Sequence, residues 1–393
     1  MQLDRLPVEV LELVLAHLSL KDRVAILSSS KALSVTGCSL KLLGEELDIT
    51  VQEQHLTSFQ LWLRNRRWPL GSLKLTASSS SPQASADLLQ ELLASSVHTL
   101  SVTWTGPYVL CSPAAVPAPS LQQLTVTVTG SIEIHSSLSR LASLTTLTLV
   151  QSQGSAVPYF TLQPGWLPRS LEALQFVKLC QCPFQPGGDF PEKLQHLGLL
   201  FEANYSLGLE AFPTLWRATT QTTSWLPRFG GLISLHLAGS HLEAVPDHLA
   251  VLTRLQRLTL RCGVELHGDP WMLPLLGMLQ LTFLDLGWRG LERVPDGILR
   301  LPKLQVLRLD GNPQLDPIVL PFSRATAPIT HLALDLLHVM GSYDELGPLR
   351  SLRRLEGFFI SEFEYGMAVL RDTLDSLRQA WPGVEVDIVY DYW

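Results

Sequence analysis

Hydrophobic residues recur along most of the chain in the pattern L-x-x-L-x-L, in which the last apolar positions alternate with other residues. Alternation with a period of two sends neighbouring side chains to opposite faces of a strand, so each segment predicts a short strand with one buried face. Twelve segments fit this pattern, and they start at Leu70, Val97, Leu121, Leu144, Leu171, Leu194, Leu232, Leu255, Leu281, Leu304, Ile329 and Leu352. A thirteenth, WPGVEV, starts at Trp381.

The spacing of these segments indicates a structural repeat. The step from Leu121 to Leu144 is 23 residues, and the steps that start at Leu171, Leu232, Leu281 and Ile329 have the same length. The other steps are a few residues longer, apart from one of 38 that holds an insertion at residues 201–223. Since one unit cannot bury its own apolar pair, neighbouring units are predicted to stack their strands side by side.

Two units show the repeat most fully. LISLHLAGSHLEAVPDHLAVLTR from Leu232 and LTFLDLGWRGLERVPDGILRLPK from Leu281 each carry a V-P step and a closing Leu pair. They resemble the leucine-rich-repeat family, which implies an α/β solenoid with a curved parallel sheet of about 12–13 repeats. The family often places Asn after the strand to bond the backbone of the turn, and Asn312 in LRLDGNPQL is the clear match.

The x positions of the strands predict a polar sheet face that changes character along the chain. In the first half they are small and mostly neutral: Ser72, Lys74, Thr76, Thr99, Ser101, Thr103, Gln123, Thr125, Thr127, Thr146 and Thr148. Arginine and aromatic residues dominate interfaces when they are desolvated, so a second set is predicted to bind a protein substrate. It comprises Arg257, Arg261, Phe283, Asp285, Arg308, Asp310, His331, Asp335, Arg354 and Glu356. The alternative is that these residues only solvate the sheet.

The residues before the first repeat show a helical and not a strand-like spacing of apolar positions. Leu11, Val14, Leu15 and Leu18 have helical spacing, and Pro7 suits the first turn of a helix. We expect two or three short helices with more apolar surface than so small a unit can hide, so they should dock onto another protein.

These residues resemble the F-box, because LPVEVLELVLAHLSLKDRVAILSSSKAL follows its L-P-x-E core, and SLKLLGEELDI resembles the segment that ends this module. The resemblance implies binding to the Skp adaptor of SCF (Skp–cullin–F-box) ubiquitin ligases. Leu33 departs from it, since many members have Trp there. The residues that it implies face the adaptor are Leu6, Pro7, Val10, Val14, Leu15, Leu18, Ile26 and Leu27. The alternative is a helical cap that seals the first repeat.

These patterns together predict three regions. Residues 1–49 form the F-box-like helical module, residues 50–69 a linker or first cap, and residues 70–393 the leucine-rich-repeat solenoid.

Composition narrows the choice of partners. The net charge of −7 gives no basic field, so we expect a protein partner and neither nucleic acid nor a membrane surface. The apolar run from Leu6 to Leu18 contains Glu9 and Glu12, which argues against a signal peptide or a membrane span. Five scattered cysteines fit reduced thiols in a cytoplasmic or nuclear protein, and no metal site or cofactor is expected.

No nucleotide-binding, hydrolase or metalloprotease motif occurs in the sequence, so no catalysis is expected. The leading hypothesis is a non-catalytic substrate-recognition subunit of an SCF-type E3 ubiquitin ligase. It would bind the Skp adaptor and cullin core through the F-box and a protein substrate through the repeats. The alternative is a repeat scaffold outside a ligase, in the cytoskeleton or the ciliary axoneme.

Overall fold

The computed structural model of the protein divides into two compact units, unit 1 (Met1–Leu194) and unit 2 (Gln195–Trp393). It describes residues 38–43, 46–65, 71–94, 97–110, 120–130, 132–134, 138–151, 165–179, 191–201, 226–238, 247–261, 273–287, 290–294, 297–315, 321–335, 338, 346, 349–359, 375–376, 378–379 and 381–390.

Unit 1 contains a sheet with the strand order β1-β2-β3-β4-β6-β8-β9. The first pair is antiparallel and the pairs from β2 to β9 are parallel. Strands β5 and β7 form a separate parallel pair. The strands are β1 (Cys38–Leu43), β2 (Glu46–Val51), β3 (Ser72–Ser78), β4 (Thr99–Thr105), β5 (Tyr108–Leu110), β6 (Gln123–Val128), β7 (Ile132–Ile134), β8 (Thr146–Gln151) and β9 (Ala173–Leu179).

Unit 2 contains eight strands, among its described residues, that pair in sequence order, each parallel to the next. They are β10 (His196–Phe201), β11 (Ser234–Ala238), β12 (Arg257–Arg261), β13 (Phe283–Asp285), β14 (Val306–Arg308), β15 (His331–Asp335), β16 (Arg354–Phe359) and β17 (Glu385–Tyr390). Parallel neighbours require a crossover after each strand, which the return segment of each repeat supplies.

Most return segments described are short. The α-helices are α1 (Leu56–Asn65), α2 (Pro82–Ala94) and α3 (Leu273–Leu276). The 3-10 helices are Glu53–His55, Leu138–Arg140, Leu226–Phe229, Asp247–Val251, Ile298–Arg300 and Pro321–Arg324. No helix in the described part of the chain is long and apolar enough to cross a membrane.

The α/β parallel-sheet fold predicted from the repeats is confirmed. Each of the twelve predicted segments contains a strand that begins two residues after the segment's first residue, as β12 begins at Arg257 after Leu255. The apolar positions of the pattern form the core, and Leu255, Leu258 and Leu260 are fully buried. Each such leucine contributes about 1.5–3 kcal/mol on burial, so the repeated pattern supplies the main driving force for stacking.

The first described residues of unit 1 form two strands, β1 and β2, where the sequence analysis placed the end of the F-box-like helical module, residues 1–49. Residues 46–51 form β2, which pairs with β3 so that Leu47 lies opposite Leu73 and Ile49 opposite Leu75. The spacing from Leu43 to Leu47 is one residue longer than in L-x-x-L, and for that reason this segment did not match. The segment predicted as a linker or first cap, residues 50–69, contains the end of β2, a 3-10 turn and α1.

Candidate functional site

The x-position side chains of β12 to β17 lie in register across unit 2, and we call this set the charged face. The first x positions of neighbouring strands pair directly, as do the second ones. In a parallel sheet such partners are about 4.8 Å apart, close enough for long side chains to meet. The first row is Arg257, Phe283, Val306, His331, Arg354 and Glu385, and the second row is Thr259, Asp285, Arg308, Ala333, Glu356 and Asp387.

Two arginines of the charged face converge on a buried carboxylate. Arg261 donates from Nε to Asp285 Oδ2 at 2.9 Å and from Nη2 to Asp310 Oδ2 at 3.1 Å. Arg308 donates from Nε to the other oxygen of Asp310 at 3.2 Å. Asp310 is only 1% exposed, so the two guanidinium groups compensate a charge that would otherwise be costly to bury.

The ion pairs continue to the last strand of unit 2. Arg308 Nη1 lies 3.3 Å from Glu356 Oε2, and Arg354 lies 3.2 Å from Glu356 Oε1 and 2.9 Å from Asp387 Oδ2. Arg308 reaches past β15 to Glu356 because Ala333, with its small side chain, stands between them in register. The network therefore links β12 to β17 through side chains as well as backbone.

Burial divides the predicted site residues into three groups. Asp285, Asp310 and Asp335 are 5%, 1% and 4% exposed, so they position other groups and do not themselves face a partner. Arg257 and His331 are exposed. The remaining predicted residues, which are half-buried, are Arg261, Phe283, Arg308, Arg354 and Glu356.

Two arginines of the charged face stack on aromatic rings. The guanidinium carbon of Arg257 lies 4.8 Å from the centre of the Phe283 ring, and that of Arg308 lies 5.0 Å from the centre of the Phe358 ring. Such cation–π contacts are worth about 0.5–1 kcal/mol at exposed sites and more when desolvated. Arg257 with Phe283 thus presents a preordered surface, since this arginine is exposed and its ring partner holds it.

A buried polar cluster supports the turn after β14. Asn312 Nδ2 donates to the carbonyl oxygens of Leu286 and Leu309, and its Oδ1 accepts from the N–H of Leu291. Asp335 accepts from the N–H groups of Gly311 and Asn312 at 2.7 and 3.0 Å. The backbone role predicted for Asn312 is therefore what the structure shows.

Burial shifts the protonation of two groups in this cluster. It raises the pKa of Asp335 to about 6, although the N–H donor of Gly311 opposes the shift. Burial lowers the pKa of His338, which lies 3.6 Å from Asp335. His338 was not predicted, and no pattern in the sequence marks it. Asp387 was also missed, although it occupies an x position of the thirteenth repeat that the sequence analysis recognised.

The equivalent face of unit 1 contains mostly hydroxyl side chains, and we call the x-position side chains of β3 to β8 the hydroxyl face. Thr99, Gln123 and Thr146 align across three strands, as do Ser101, Thr125 and Thr148. At its edge, Lys74 Nζ lies 3.6 Å from Asp48 Oδ2. The change from a neutral to a charged face along the chain, predicted from the x positions, is present in the structure.

Other predicted elements lie outside the described residues. These are the insertion at residues 201–223 except Phe201, and all the adaptor-facing residues, namely Leu6, Pro7, Val10, Val14, Leu15, Leu18, Ile26 and Leu27. Their roles stay predictions. Among the described residues, no group of three or more His, Cys, Asp or Glu side chains is arranged to hold a metal ion.

Comparison with known protein families finds a match for the segment that contains the predicted adaptor-facing residues. The family model of the F-box domain matches residues 3–42, which include the predicted adaptor-facing positions. A comparison with curated proteins gave no match.

Two leucine-rich-repeat structures are similar to the chain at low TM-scores. A leucine-rich-repeat protein of Leptospira interrogans is 17% identical, with 87% of this chain and 89% of that one covered and a TM-score of 0.38. CroV588, a circular leucine-rich-repeat protein, is 13% identical, with 81% and 50% covered and a TM-score of 0.37. The register of the L-x-x-L-x-L segments, with every described repeat contributing one parallel strand, independently defines a leucine-rich-repeat-like sheet. The chain thus joins a match to the F-box domain at residues 3–42 to a leucine-rich-repeat-like parallel sheet.

Proposed function

We propose that this protein is the non-catalytic substrate-recognition subunit of an SCF-type E3 ubiquitin ligase. The observation that carries the proposal is the presence, in one chain, of an F-box match at residues 3–42 and a leucine-rich-repeat-like sheet with a charged face. F-box/leucine-rich-repeat proteins are typically non-catalytic adaptors, and an F-box implies binding to the Skp adaptor.

The proposed mechanism is proximity. Residues 3–42 bind the Skp adaptor and so attach the chain to the cullin core, while the sheet holds a protein substrate within reach of ubiquitin transfer. Joining two binding events in one chain raises the effective concentration of the substrate near the ligase without any catalytic group in this subunit. Cytoplasmic or nuclear placement follows from this role and is part of the proposal.

The charged face is the proposed substrate surface, and its members have different tasks. Arg257, Phe283, His331 and Arg354 are exposed or half-buried and supply the contacts. Ion pairs with Glu356 and Asp387 fix the direction of Arg354 in advance, and the Phe283 ring holds Arg257. This order lowers the entropy lost on binding. Buried Asp310, by contrast, maintains the surface from within.

Adaptor binding is tested by copurification of the full chain with the Skp adaptor. We expect the native chain to copurify and the double variant Leu6→Ala with Pro7→Ala to bind at least about tenfold more weakly, because apolar contacts of this kind contribute about 1.5–3 kcal/mol per side chain. Leu279→Ala is the matched control, since Leu279 is 55% exposed and far along the sequence from the F-box. Absence of copurification, or equal binding by the double variant, would favour a scaffold outside a ligase.

Substrate binding is tested by proximity labelling in cells with the full chain and with the double variant Arg257→Ala and Arg354→Ala. Proteins that bind the charged face should lose labelling while the Skp adaptor keeps it, because the two surfaces are separate in sequence. Thr146→Ala with Thr148→Ala on the hydroxyl face is the control. An unchanged set of labelled proteins would contradict the assignment of the charged face while leaving adaptor binding standing.

A further inference from the structure

A groove lies at the edge of unit 2 where strands β14 to β17 begin. Its volume is about 720 Å³, and its floor is the row of residues that immediately precede the strands: Gln305, Thr330, Arg353 and Val384. The backbone fixes this row, because Thr330 donates its N–H to Gln305, Arg353 donates to Thr330, both at 2.8 Å, and Glu385 donates to Arg353 at 2.7 Å. The groove is therefore preformed by the stacking of four repeats.

The walls of the groove combine aromatic, proline and basic side chains. Trp381 and Pro382 line it on the side of β17, and Pro328 and Arg350 line it as well. Trp381 is half-buried and Pro382 is exposed. Rings of tryptophan and proline form rigid surfaces against which an extended peptide packs at low entropic cost.

The charge of the groove differs from that of the face beside it. On the charged face Arg261, Arg308 and Arg354 each have a carboxylate within 3.3 Å. Arg350 and Arg353 are both exposed, and neither forms an ion pair with any residue that the structure describes. Two exposed arginines on one groove of a chain with net charge −7 provide a local site for carboxylates.

We propose that this groove binds a short extended segment of a partner protein that carries acidic side chains. Four strands separated by three gaps of about 4.8 Å give a floor of roughly 14 Å, which matches about four extended residues. The carboxylates of the segment pair with Arg350 and Arg353, and its apolar side chains pack on Trp381 and Pro382. Glu385, which is exposed and directly follows Val384, would repel a long polyanion, so a short acidic peptide fits the site better than nucleic acid.

This groove is distinct from the charged face, because the residues that line it precede the strands, whereas the charged face consists of side chains within the strands. The proposal therefore holds whether or not residues 3–42 bind an adaptor. It also adds a second contact to the recognition of a protein partner, which increases selectivity when both contacts are required.

The test uses the purified full chain on an array of immobilised peptides with randomised sequences around a fixed Asp-x-Asp or Lys-x-Lys pair. We expect the native chain to prefer the aspartate peptides by about tenfold or more, as two charge-assisted contacts would give. Arg350→Ser with Arg353→Ser should abolish the preference. Arg350→Glu with Arg353→Glu should reverse it toward the lysine peptides, an outcome that general loss of folding cannot produce.

Arg254→Glu with Arg300→Glu is the matched control, since both arginines are exposed in unit 2 and neither lines the groove. This control should keep the aspartate preference. The proposal is overturned if the native chain shows no preference for aspartate, or if the preference survives in the Arg350→Glu with Arg353→Glu variant. The array contains no adaptor, so its result is separate from that of the copurification.

Discussion

The hydroxyl face of unit 1 and the charged face of unit 2 are built on the same L-x-x-L-x-L pattern but carry side chains of different charge. A core of buried leucines lies beneath each face, and Leu147 in β8 and Leu258 in β12 are both fully buried. Above it, Thr125 and Thr148 of the hydroxyl face carry neutral side chains, whereas Arg261 and Asp285 of the charged face pair at 2.9 Å.

The difference shows that stacking of repeats does not depend on the chemistry of the sheet face. Burial of the leucine pairs drives stacking, and this term is shared by the two units. The charged face also has buried carboxylates, since Asp285, Asp310 and Asp335 lie in the interior. Its arginines are thus tied to the interior, whereas Thr125 and Thr148 of the hydroxyl face are neutral and half-buried.

The largest expected effect comes from removing the central carboxylate of the charged face. Asp310→Ala should lower the free energy of unfolding of unit 2 by about 2–3 kcal/mol, because Arg261 and Arg308 lose a buried partner. The loss is limited because both guanidinium groups stay partly in contact with solvent. Chemical denaturation of the full chain, with hydrogen exchange followed at β12 to β14, measures it. Asp310→Asn keeps the shape and separates the loss of charge from the loss of volume. Unfolding unchanged by Asp310→Ala would mean that the ion pairs are as dispensable as the threonines of unit 1.

A second effect is pH dependence that the hydroxyl face should lack. Asp335 has a pKa raised to about 6 from its ordinary 3.8, chiefly by burial and additionally by the charge of Asp310. The folded state therefore binds the proton more tightly than the unfolded state does, so this residue's contribution to the free energy of unfolding falls as pH rises from 3.8 to about 6 and is constant above.

The variant Asp335→Asn should lose roughly 2 kcal/mol of this pH-dependent change, measured by denaturation at several pH values between 4 and 7. Glu385→Gln is the control, because Glu385 is exposed, and it should follow the native curve. His338 also faces Asp335, so its histidine signals in nuclear magnetic resonance report whether a second group titrates in the same range. Equal slopes for Asp335→Asn and the native chain would contradict the raised pKa.

The smallest effect is expected on the hydroxyl face. Thr148→Val keeps the β-branched shape and removes one half-buried hydroxyl, so the free energy of unfolding should change by no more than about 0.5 kcal/mol. The same denaturation measurement applies. A loss of more than about 1 kcal/mol would show that the hydroxyl face is as tightly coupled to the interior as the charged face.

Much of the fold was predictable because one physical rule is repeated. A Leu pair that alternates with polar residues can be buried only on one side of a strand, and the constant phase of the pairs predicted the strands from β3 to β17, apart from the short β5 and β7. Strand β2 was not predicted, because one extra residue separates Leu43 from Leu47 and the segment does not match L-x-x-L. The antiparallel partner β1 was not predicted either, since its residues had been assigned to the F-box-like segment.

The candidate site was predictable only in part. The x-position rule found Arg261, Asp285 and Arg308, but it could not tell which carboxylates are buried, because burial depends on neighbours from other repeats. Arg350 and Arg353 both precede β16, so their position on a groove with Trp381 follows only from the register of four repeats. The F-box match rests on sequence alone, since its adaptor-facing residues lie outside the described part of the chain.

The sequence by itself determined the α/β class, the parallel strands and the change from neutral to charged x positions. These properties are local or periodic, so the residues of each segment specify them without contacts between repeats. Only the tertiary structure decided that Arg308 passes Ala333 to reach Glu356, that Asp310 and Asp335 are buried, and that Arg350 and Arg353 share a groove. The physical reason is that each of these contacts joins residues from different repeats, and stacking, which no single repeat specifies, sets their distance.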